Sequence, residues 1–297
     1  MSASSVPDFD SFFTGPAREY LLRAIDLALE EDGEDLTSRA LFHMERFSAV
    51  VVAKESCAIA GLPIVPMVLV RAAARAKIEN PWTLDMLVRD GDVVQAGTEI
   101  FRLDGPALLL LTAERVILNF LCHLSGIATL TRRYVDVLAG TGVTLLDTRK
   151  TLPGLRYPEK YATAVGGAKN HRKNLSEMIM LKDNHIDRAG NITAAVAAVR
   201  GAYAPCPPIE AECRNLDEVR EAVASAVDRI MLDNMDHEAI REALRLIPGT
   251  IETELSGGVD LGTLADLAAL GPQFISVGRL THSAPYADLS MRMGRPA

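Results

Sequence analysis

The sequence predicts an α/β protein whose larger part folds as an incomplete, irregular α/β barrel. From residue 143 onward, short apolar segments alternate with segments of helical periodicity, and this alternation predicts a parallel sheet. A complete eight-fold barrel takes about 250 residues, whereas roughly 150 are available here, so the barrel is expected to be incomplete. Six strands are predicted, at 143–147, 178–182, 208–213, 229–233, 250–255 and 274–277.

Helices are predicted between these strands, at 216–225, 237–246 and 261–270. An open doubly wound sheet is the alternative, but the chain has neither a G-x-G-x-x-G after a first strand nor a G-x-x-x-x-G-K-[ST] motif. Two predicted strands carry glutamates at alternate positions, which places both on one face: Glu210 with Glu212, and Glu252 with Glu254. Because buried carboxylates need cationic partners, a small polar lumen containing Lys or Arg fits better than a dry face under helices.

The first third of the chain reads as a separate unit. Leucines and an isoleucine at helical spacing predict a helix over 17–30, and a strand is predicted over 48–60. Glycine turns flanked by β-rich residues predict a hairpin over 90–100. Biotinyl and lipoyl carriers share such a hairpin but present a lysine at its tip, and no lysine lies between residues 77 and 150. A long helix over 112–134 is expected to lead into the second unit.

Composition and charge narrow the classes of function. The net charge of −8 argues against a general nucleic-acid or anionic-membrane binder. Within 149–182, however, eight Lys or Arg and two acids give +6, which leaves −14 for the rest and suggests a pocket for a small anion. There is no uninterrupted apolar run of membrane length and no secretory signal, and the cysteines are scattered, so we expect reduced thiols in a cytoplasmic protein.

Polar residues follow each of the six predicted strands. In parallel α/β folds the active site gathers at the carboxyl ends of the strands, so we expect one convergent site rather than six helix caps or turns. Its residues are Asp147-Thr148-Arg149-Lys150, Lys182-Asp183-Asn184-His185, Glu212, Asp233-Asn234, Ser256-Gly257-Gly258 and Gly278 to Ser283.

The predicted site divides by charge. One half is cationic and suits carboxylate or phosphate groups; it contains Arg149, Lys150, Lys169, His171, Arg172 and Lys182. The other half has glycines after the last two strands, where backbone N–H groups approach a phosphate. Glu212 and Asp233 face ribose hydroxyls, a Mg²⁺ that accompanies pyrophosphate, or a lysine in a lumen salt bridge. No Ser-His-Asp order or zinc spacing is present, so two anions are held without a covalent nucleophile.

Long motifs in this region resemble the quinolinate phosphoribosyltransferase family. The likeness runs in order from about residue 30 to residue 289. The motifs are Asp147-Thr148-Arg149-Lys150-Thr151-x-Pro153-Gly154-x-Arg156, Glu159-Lys160-Tyr161-Ala162, Gly166-Gly167-x-x-Asn170-His171-Arg172, Lys182-Asp183-Asn184-His185-Ile186, Leu232-Asp233-Asn234-Met235, Ser256-Gly257-Gly258 and Ser276-Val277-Gly278-x-Leu280-Thr281-His282-Ser283.

The resemblance implies an N-terminal α/β sandwich, a partial α/β barrel and an obligate dimer. We assign residues 1–115 and 287–297 to the sandwich and 116–286 to the barrel, and leave larger even oligomers open. The implied reaction joins quinolinate to phosphoribosyl pyrophosphate, releasing pyrophosphate and CO₂ and forming nicotinate mononucleotide for NAD biosynthesis. Mg²⁺ is the implied cofactor, arriving with the pyrophosphate near Glu212 and Asp233 rather than in a dedicated protein site.

Residue roles follow from the same resemblance. The implied quinolinate-binding residues are Thr148, Arg149, His171, Arg172 and Lys182, with Arg115 supplied by the partner subunit. The implied phosphoribosyl-binding residues are Lys150, Glu212, Asp233, Ser256, Gly257, Gly258, Gly278 and His282. Lys150, Lys182, Glu212 and Asp233 are the implied catalytic residues.

Two positions depart from the usual family pattern, and two alternatives stay open. Leu255 stands where Ala or Ser commonly precedes the serine, and Arg279 stands where Ala often follows the glycine. The nearer alternative is the phosphoribosyltransferase-like protein of molybdenum operons, which has another acceptor; the intact Asn170-His171-Arg172 motif favours quinolinate. The other is a non-catalytic barrel that senses an anionic metabolite.

Overall fold

The computed structural model describes residues 6–43, 45–79 and 81–294, and the chain divides into two compact units. The first unit comprises the described parts of Met1–Arg132, Thr151–Gly167 and Leu280–Ala297. The second comprises Arg133–Lys150 and Ala168–Arg279. The boundary predicted between residues 115 and 116 falls inside one continuous helix, Ala107–Val137, and the predicted domain division stays a prediction.

The first unit contains an antiparallel sheet with helices packed on it. Its helices are α1 (Phe9–Phe12), α2 (Pro16–Glu31), α3 (Leu36–Leu41), α4 (Ile64–Ala76), most of α5 (Ala107–Val137) and α6 (Arg156–Val165). Its strands are β1 (Arg46–Ala53), β2 (Cys57–Ala58), β3 (Thr83–Met86), β4 (Val93–Val94), β5 (Glu99–Pro106) and β12 (Leu289–Gly294). The sheet order is β12-β1-β5-β3, and β2 pairs with β4.

Apolar side chains at regular spacing explain why these elements pack together. Leu21, Ile25 and Leu29 lie four residues apart on α2 and are buried, as the sequence predicts for a helix with one apolar face. On β1, Ala49 and Val51 are buried whereas Ser48 and Val50 are partly exposed, so one face of the sheet meets the helices. The N-terminal α/β sandwich expected from the sequence is therefore confirmed.

The predicted hairpin over 90–100 is wrong, and the predicted strand over 48–60 is interrupted. β4 pairs with β2, whereas β5 pairs with β1 and β3, so the two arms of the expected hairpin belong to different sheets. The glycine turns do form: Gly91 and Gly97 have φ of 91° and 90°. Their N–H groups donate to Ile59 and Ala53, and these contacts direct each arm to a different partner.

Helix α5 is longer than predicted, because the apolar run 107–112 forms its first turns. By length and composition alone this one helix among the described residues is apolar enough to cross a membrane. However, 61% of its most apolar window is buried inside the structure, which is how the core helix of a globular protein looks.

The second unit contains a six-stranded parallel sheet with the order β6-β11-β10-β9-β8-β7. Its strands are β6 (Thr144–Leu146), β7 (Ile179–Leu181), β8 (Ile209–Cys213), β9 (Arg229–Asp233), β10 (Glu252–Ser256) and β11 (Phe274–Ser276). The helices are α7 (Asp183–Ala189), α8 (Ile192–Ala202), α9 (Leu216–Ala224), α10 (His237–Leu246) and α11 (Leu264–Ala268). The next helix, α12 (Arg279–His282), begins at the last residue of this unit, and its other residues belong to the first unit. All six predicted strands are present within two residues at each end.

The barrel is not closed, as expected for a chain of this length. Among the described residues, strands β6 and β7 are the two ends of the sheet and do not pair with each other. Instead, the segment at Lys169 forms an isolated parallel bridge with Leu146. The Lys169 N–H donates to the Leu145 carbonyl at 2.9 Å, and the Asp147 N–H donates to the Lys169 carbonyl at 3.2 Å. This bridge places the residues that follow Lys169 beside the end of β6.

Candidate functional site

Most of the predicted site residues meet at one edge of the parallel sheet. Because all six strands run in the same direction, their carboxyl ends share that edge. The structure brings Thr148, Arg149, Lys150, His171, Arg172, Lys182, Glu212, Asp233, Ser256, Gly257, Gly258 and Gly278 to this part of the second unit. Lys150 is exposed and most of the others are partly buried, so the edge is accessible to a ligand.

Asp147 fixes the segment 170–172 against the end of β6. Its carboxylate is fully buried and accepts hydrogen bonds from the Asn170 side-chain amide at 2.7 Å and from the His171 N–H at 2.8 Å. A buried carboxylate is costly unless it is paired in this way. Asp147 was named only as a strand-end residue in the sequence, where nothing indicated that it organises the next loop.

Arg149 and Arg172 form the cationic part of the site. Burial lowers the pKa of Arg172, and the positive charge of Arg149 lowers it further, whereas the charge of Glu210 opposes these effects. The Arg172 guanidinium also donates to the Met178 carbonyl at 2.9 Å, which holds the side chain in place. Because these two guanidinium groups repel each other, a bound dianion would stabilise this part of the protein.

His171 is buried, and both of its ring nitrogens contact protein groups. Nε2 lies 3.1 Å from a Glu210 oxygen and 3.4 Å from a Glu254 oxygen, and Nδ1 accepts the Arg172 N–H at 2.8 Å. Burial by itself would lower the pKa of His171, but hydrogen bonds to Glu210 and Glu254 raise it to about 9. Quinolinate contact by His171 stays a prediction, since its ring points toward the lumen carboxylates.

Lys182 and Glu212 form an ion pair between the ends of β7 and β8. The Lys182 Nζ lies 2.7 Å from Glu212 Oε2; the lysine side chain is 45% exposed and the glutamate 13%. This pairing is the lumen salt bridge that the sequence left as one alternative. Because the lysine is half exposed, it can also contact an anion at the sheet edge while it neutralises Glu212.

The loop after β10 is shaped by Gly257, which no other residue replaces without rearrangement. Gly257 has φ of 99°, and a Cβ atom there would lie 2.2 Å from Asn234 Oδ1. Asn234 itself donates from Nδ2 to Asp233 at 2.8 Å and from its backbone N–H to Ser256 at 3.0 Å. The ends of β9 and β10 are thus joined closely, with backbone of the glycine loop exposed beside Asp233.

Two predicted site residues lie in the first compact unit instead. Arg115 is exposed on α5, and His282 is exposed in α12, where its Nδ1 lies 2.6 Å from Ser283 Oγ. The two departures from the family pattern also have distinct positions. Leu255 is a buried core residue of β10, whereas Arg279 is exposed, and its charge helps to lower the pKa of Asp260 after hydrogen bonds to the Thr263 and Gly262 backbone.

The sequence predicted that glutamates line a polar lumen, but it did not predict that they contact a residue of the site. Glu210 and Glu254 are fully buried, and Arg229 lies 3.2 Å from Glu254, as the paired-carboxylate argument predicts. No sequence pattern indicated that His171 is their other partner. In the described residues, His171, Glu210 and Glu254 form the one group of three or more potential metal ligands. Since Arg229 and His171 already contact these carboxylates, we assign no metal to them.

Comparisons with known proteins show the family to which the chain belongs. The family model for the quinolinate phosphoribosyl transferase C-terminal domain matches residues 127–292, and the model for the N-terminal domain matches residues 35–125. A probable nicotinate-nucleotide pyrophosphorylase [carboxylating] of Bacillus subtilis is 41% identical over 264 residues, which is 89% of each chain. The corresponding protein of Synechocystis is 42% identical over 265 residues, or 88% of each chain.

Solved structures show the same fold. NadC from Streptococcus pyogenes superposes with a TM-score of 0.87 at 40% identity, covering 96% of this chain and 100% of that one. The nicotinate-nucleotide pyrophosphorylase from Francisella tularensis gives a TM-score of 0.87 at 34% identity, covering 95% and 99%. The chain therefore belongs to the quinolinate phosphoribosyl transferase family.

Proposed function

We propose that the strand-end edge of the second unit binds quinolinate on its cationic side and phosphoribosyl pyrophosphate on its glycine side. The chain is a decarboxylating quinolinate phosphoribosyltransferase of NAD biosynthesis. It joins the two substrates, releases pyrophosphate and CO₂, and forms nicotinate mononucleotide. The observation that carries the division is the placement of Arg149 and Arg172 beside the end of β6, separate from the positive-φ glycines that follow β10.

The cationic side suits a dicarboxylate. Arg149 and Arg172 each offer a planar fork of donors that matches one carboxylate, and Lys182 adds a point charge. Thr148 lies at the start of the same loop, and its hydroxyl accepts the Lys150 N–H at 3.1 Å. In the proposal these residues hold quinolinate, with His171 beneath them. The gain on binding is large because the dianion also relieves the repulsion between the two arginines.

The glycine side suits the phosphate of the phosphoribosyl group. The positive φ values of Gly257 and Gly258 turn the chain so that backbone N–H groups can approach an anion without a side chain in the way. Ser256 and Gly278, at the ends of neighbouring strands, complete this phosphate-binding part of the proposal. Lys150 and His282 are assigned to the same substrate by the family resemblance.

Glu212 and Asp233 fit a Mg²⁺ that arrives with pyrophosphate. They end adjacent strands β8 and β9, both are partly buried, and both offer carboxylate oxygens, the donors that Mg²⁺ prefers. Two carboxylates are too few for a complete site, which agrees with an ion that keeps water and phosphate ligands. When bound, Mg²⁺ would offset the negative charge of the departing pyrophosphate.

The chemical steps follow from these positions. The pyridine nitrogen is a poor nucleophile, so the bond to pyrophosphate breaks largely before the new C–N bond forms. Glu212 or Asp233 stabilises the positive charge that develops at the anomeric carbon, and Lys150 stabilises the leaving group. When the adjacent carboxylate leaves as CO₂, the electron pair of the broken bond stays on the ring carbon, where the positive charge of the quaternary nitrogen stabilises it as an ylide. Lys182 supplies the proton to that carbon, and Glu212, at 2.7 Å, keeps it oriented.

The active assembly that we propose is a homodimer in the cytoplasm. Arg115 is exposed on α5 and, by the family resemblance, reaches the quinolinate side of the partner subunit. The test is subunit exchange between Arg115→Ala and Arg172→Ala enzymes, each inactive alone. Shared sites predict that mixed dimers regain activity, since one of their two sites is intact. No recovery after verified exchange would contradict the sharing of Arg115.

The function is tested most simply with quinolinate labelled at its C2 carboxylate. With phosphoribosyl pyrophosphate and Mg²⁺, we expect labelled CO₂ and nicotinate mononucleotide in equal amounts. Omitting phosphoribosyl pyrophosphate is the control for uncoupled decarboxylation. Binding of phosphoribosyl pyrophosphate without labelled CO₂ would contradict quinolinate as the acceptor and would direct the search to another acceptor.

A further inference from the structure

A charged cluster lies in the lumen of the second unit, beneath the sheet edge that carries the proposed quinolinate side. It comprises His171, Glu210 and Glu254, with Arg229 at its lower end. The carboxylates are fully buried, and the His171 side chain is only 5% exposed, so none of the three offers a substantial surface to a substrate. Buried charges of this kind are costly, and they need a compensating role in structure or function.

The His171 ring connects this cluster to the substrate-binding loop. Its Nε2 faces both carboxylates, and its Nδ1 accepts the backbone N–H of Arg172. The carboxylates favour the doubly protonated ring, whereas the amide contact favours the neutral one. In either state Nε2 carries a proton and donates toward Glu210 and Glu254. The ring is therefore oriented from below, and it lies directly against the backbone of a substrate-binding residue.

The carboxylates themselves are held at fixed positions. Glu254 accepts from the Arg229 guanidinium at 3.2 Å, and that guanidinium stacks over the Phe274 ring with its carbon 4.3 Å from the centroid. Glu210 is paired with Arg229 in strand register. Rigid strands thus support the ring more precisely than a loop would. Asp147 fixes the same loop from the side, through the His171 N–H.

We propose that Glu210 and Glu254 are positioning residues for the dicarboxylate pocket, acting on Arg172 through the His171 ring. The inference rests on the proposed assignment of Arg172 to quinolinate. Neither glutamate touches substrate; each holds the imidazole that sets where the Arg172 backbone, and with it the guanidinium, lies. A shift of this loop by a fraction of an ångström changes binding of the acceptor, whereas the phosphoribosyl residues Ser256 to Gly258 follow β10, whose backbone stays paired with β9 and β11.

The chain offers a closely matched control. Glu252 lies on the same strand as Glu254 and contacts the same arginine, at 2.6 Å, but its side chain is 49% exposed. Glu252→Gln and Glu254→Gln therefore remove the same charge from the same strand and weaken the same Arg229 network. Only Glu254→Gln also removes a charge facing His171. Glu210→Gln provides an independent change on a different strand.

The measurement is binding of quinolinate and of phosphoribosyl pyrophosphate by titration calorimetry, together with KM for each, in these variants of the full chain. Glu254→Gln and Glu210→Gln should weaken quinolinate binding by about tenfold, as loss of partners that orient a binding group commonly does. Phosphoribosyl pyrophosphate binding should stay within about twofold. Glu252→Gln should change neither by more than about twofold, since exposed ion pairs contribute little.

A double-mutant cycle tests the route through the ring. His171→Asn keeps an acceptor near the Arg172 N–H but no longer reaches the carboxylates, so adding Glu254→Gln to it should cause no further loss. Independent, additive losses overturn the inference, as do equal effects of Glu252→Gln and Glu254→Gln or equal losses for both substrates. If the wild-type chain binds quinolinate but releases no CO₂, the proposed reaction is contradicted, and the binding data still test whether the glutamates position Arg172. If the wild-type chain binds no quinolinate, both the proposed function and this inference are contradicted.

Discussion

The charged residues of the two sheets lie in opposite environments, exposed on one sheet and buried in the other. On the antiparallel sheet, ion pairs lie on the exposed face: Arg102 with Glu99 at 61% and 43% exposure, and Arg46 with Asp104 at 39% and 36%. In the parallel sheet, Glu210 and Glu254 are fully buried between strands and contact His171. Solvent screens the first kind of pair, but every change in the second leaves an uncompensated charge. Substitution of a paired charged residue is thus expected to have a small effect on the antiparallel sheet and a large effect in the parallel sheet.

The largest expected effect is loss of quinolinate binding in Arg172→Ala. Truncating one partner of a desolvated charge pair costs about 2–5 kcal/mol, so quinolinate affinity should fall by roughly 30- to 5000-fold. Phosphoribosyl pyrophosphate affinity should change far less, because its proposed contacts lie on other strands. Separate titrations of the two ligands check this. Equal losses for both would contradict the division of the edge.

A glycine in each unit allows the second comparison. Gly97 and Gly257 have similar φ, 90° and 99°, but a Cβ at Gly97 meets nothing within 4 Å, whereas at Gly257 it meets Asn234. Both alanine variants bear the strain of a positive φ, about 1–3 kcal/mol. Gly257→Ala should in addition raise KM for phosphoribosyl pyrophosphate by at least about tenfold, because Asn234 and the loop must move. Similar kinetics in the two variants would show that φ strain alone accounts for the change.

Stability should depend on pH through His171. Burial opposes protonation, but Glu210 and Glu254 raise the pKa of His171 from 6.5 to about 9. A pKa raised by folding stabilises the folded state fully below about pH 6.5, and this contribution is lost as pH rises through about 9. The free energy of unfolding should therefore decline over that range in wild type and decline less in His171→Gln. If the free energy of unfolding depended on pH in the same way in both proteins, the Arg172 amide would be keeping the His171 ring neutral.

The smallest effect is expected on the antiparallel sheet. Arg102→Ala removes an exposed ion pair with Glu99, three residues earlier on the same strand, worth less than about 1 kcal/mol. Chemical denaturation should detect little change, and turnover should match wild type. A loss of stability comparable with that of Glu254→Gln would mean that exposure does not explain the difference between the two sheets.

The sequence predicted strand positions and strand-end residues well because both depend on local patterns. Alternation of apolar strands with helices located all six strands of the parallel sheet, and polar residues after each strand located the site. Strand pairing in the first unit was mispredicted, because glycine turns at 91 and 97 indicate where the chain bends but not which strand it meets.

The connections beneath the site could not be predicted for a similar reason. Glu210 and Glu254 were expected to share a lumen with cations, since alternate residues of a strand share a face. That His171 is their partner depends on the bridge between Lys169 and Leu146, a long-range backbone contact without a sequence signature. Asp147 was visible as a strand end, but its hydrogen bonds to residues 170 and 171 depend on the same bridge.

The most direct measurement is a crystal structure of the chain with quinolinate bound. We expect its two carboxylates to contact Arg149, Arg172 and Lys182 at the carboxyl ends of β6 and β7, with the His171 ring still directed toward Glu210 and Glu254. Quinolinate bound elsewhere, such as against Arg102 on the exposed face of the antiparallel sheet, would contradict the assignment of the cationic strand ends as the acceptor site.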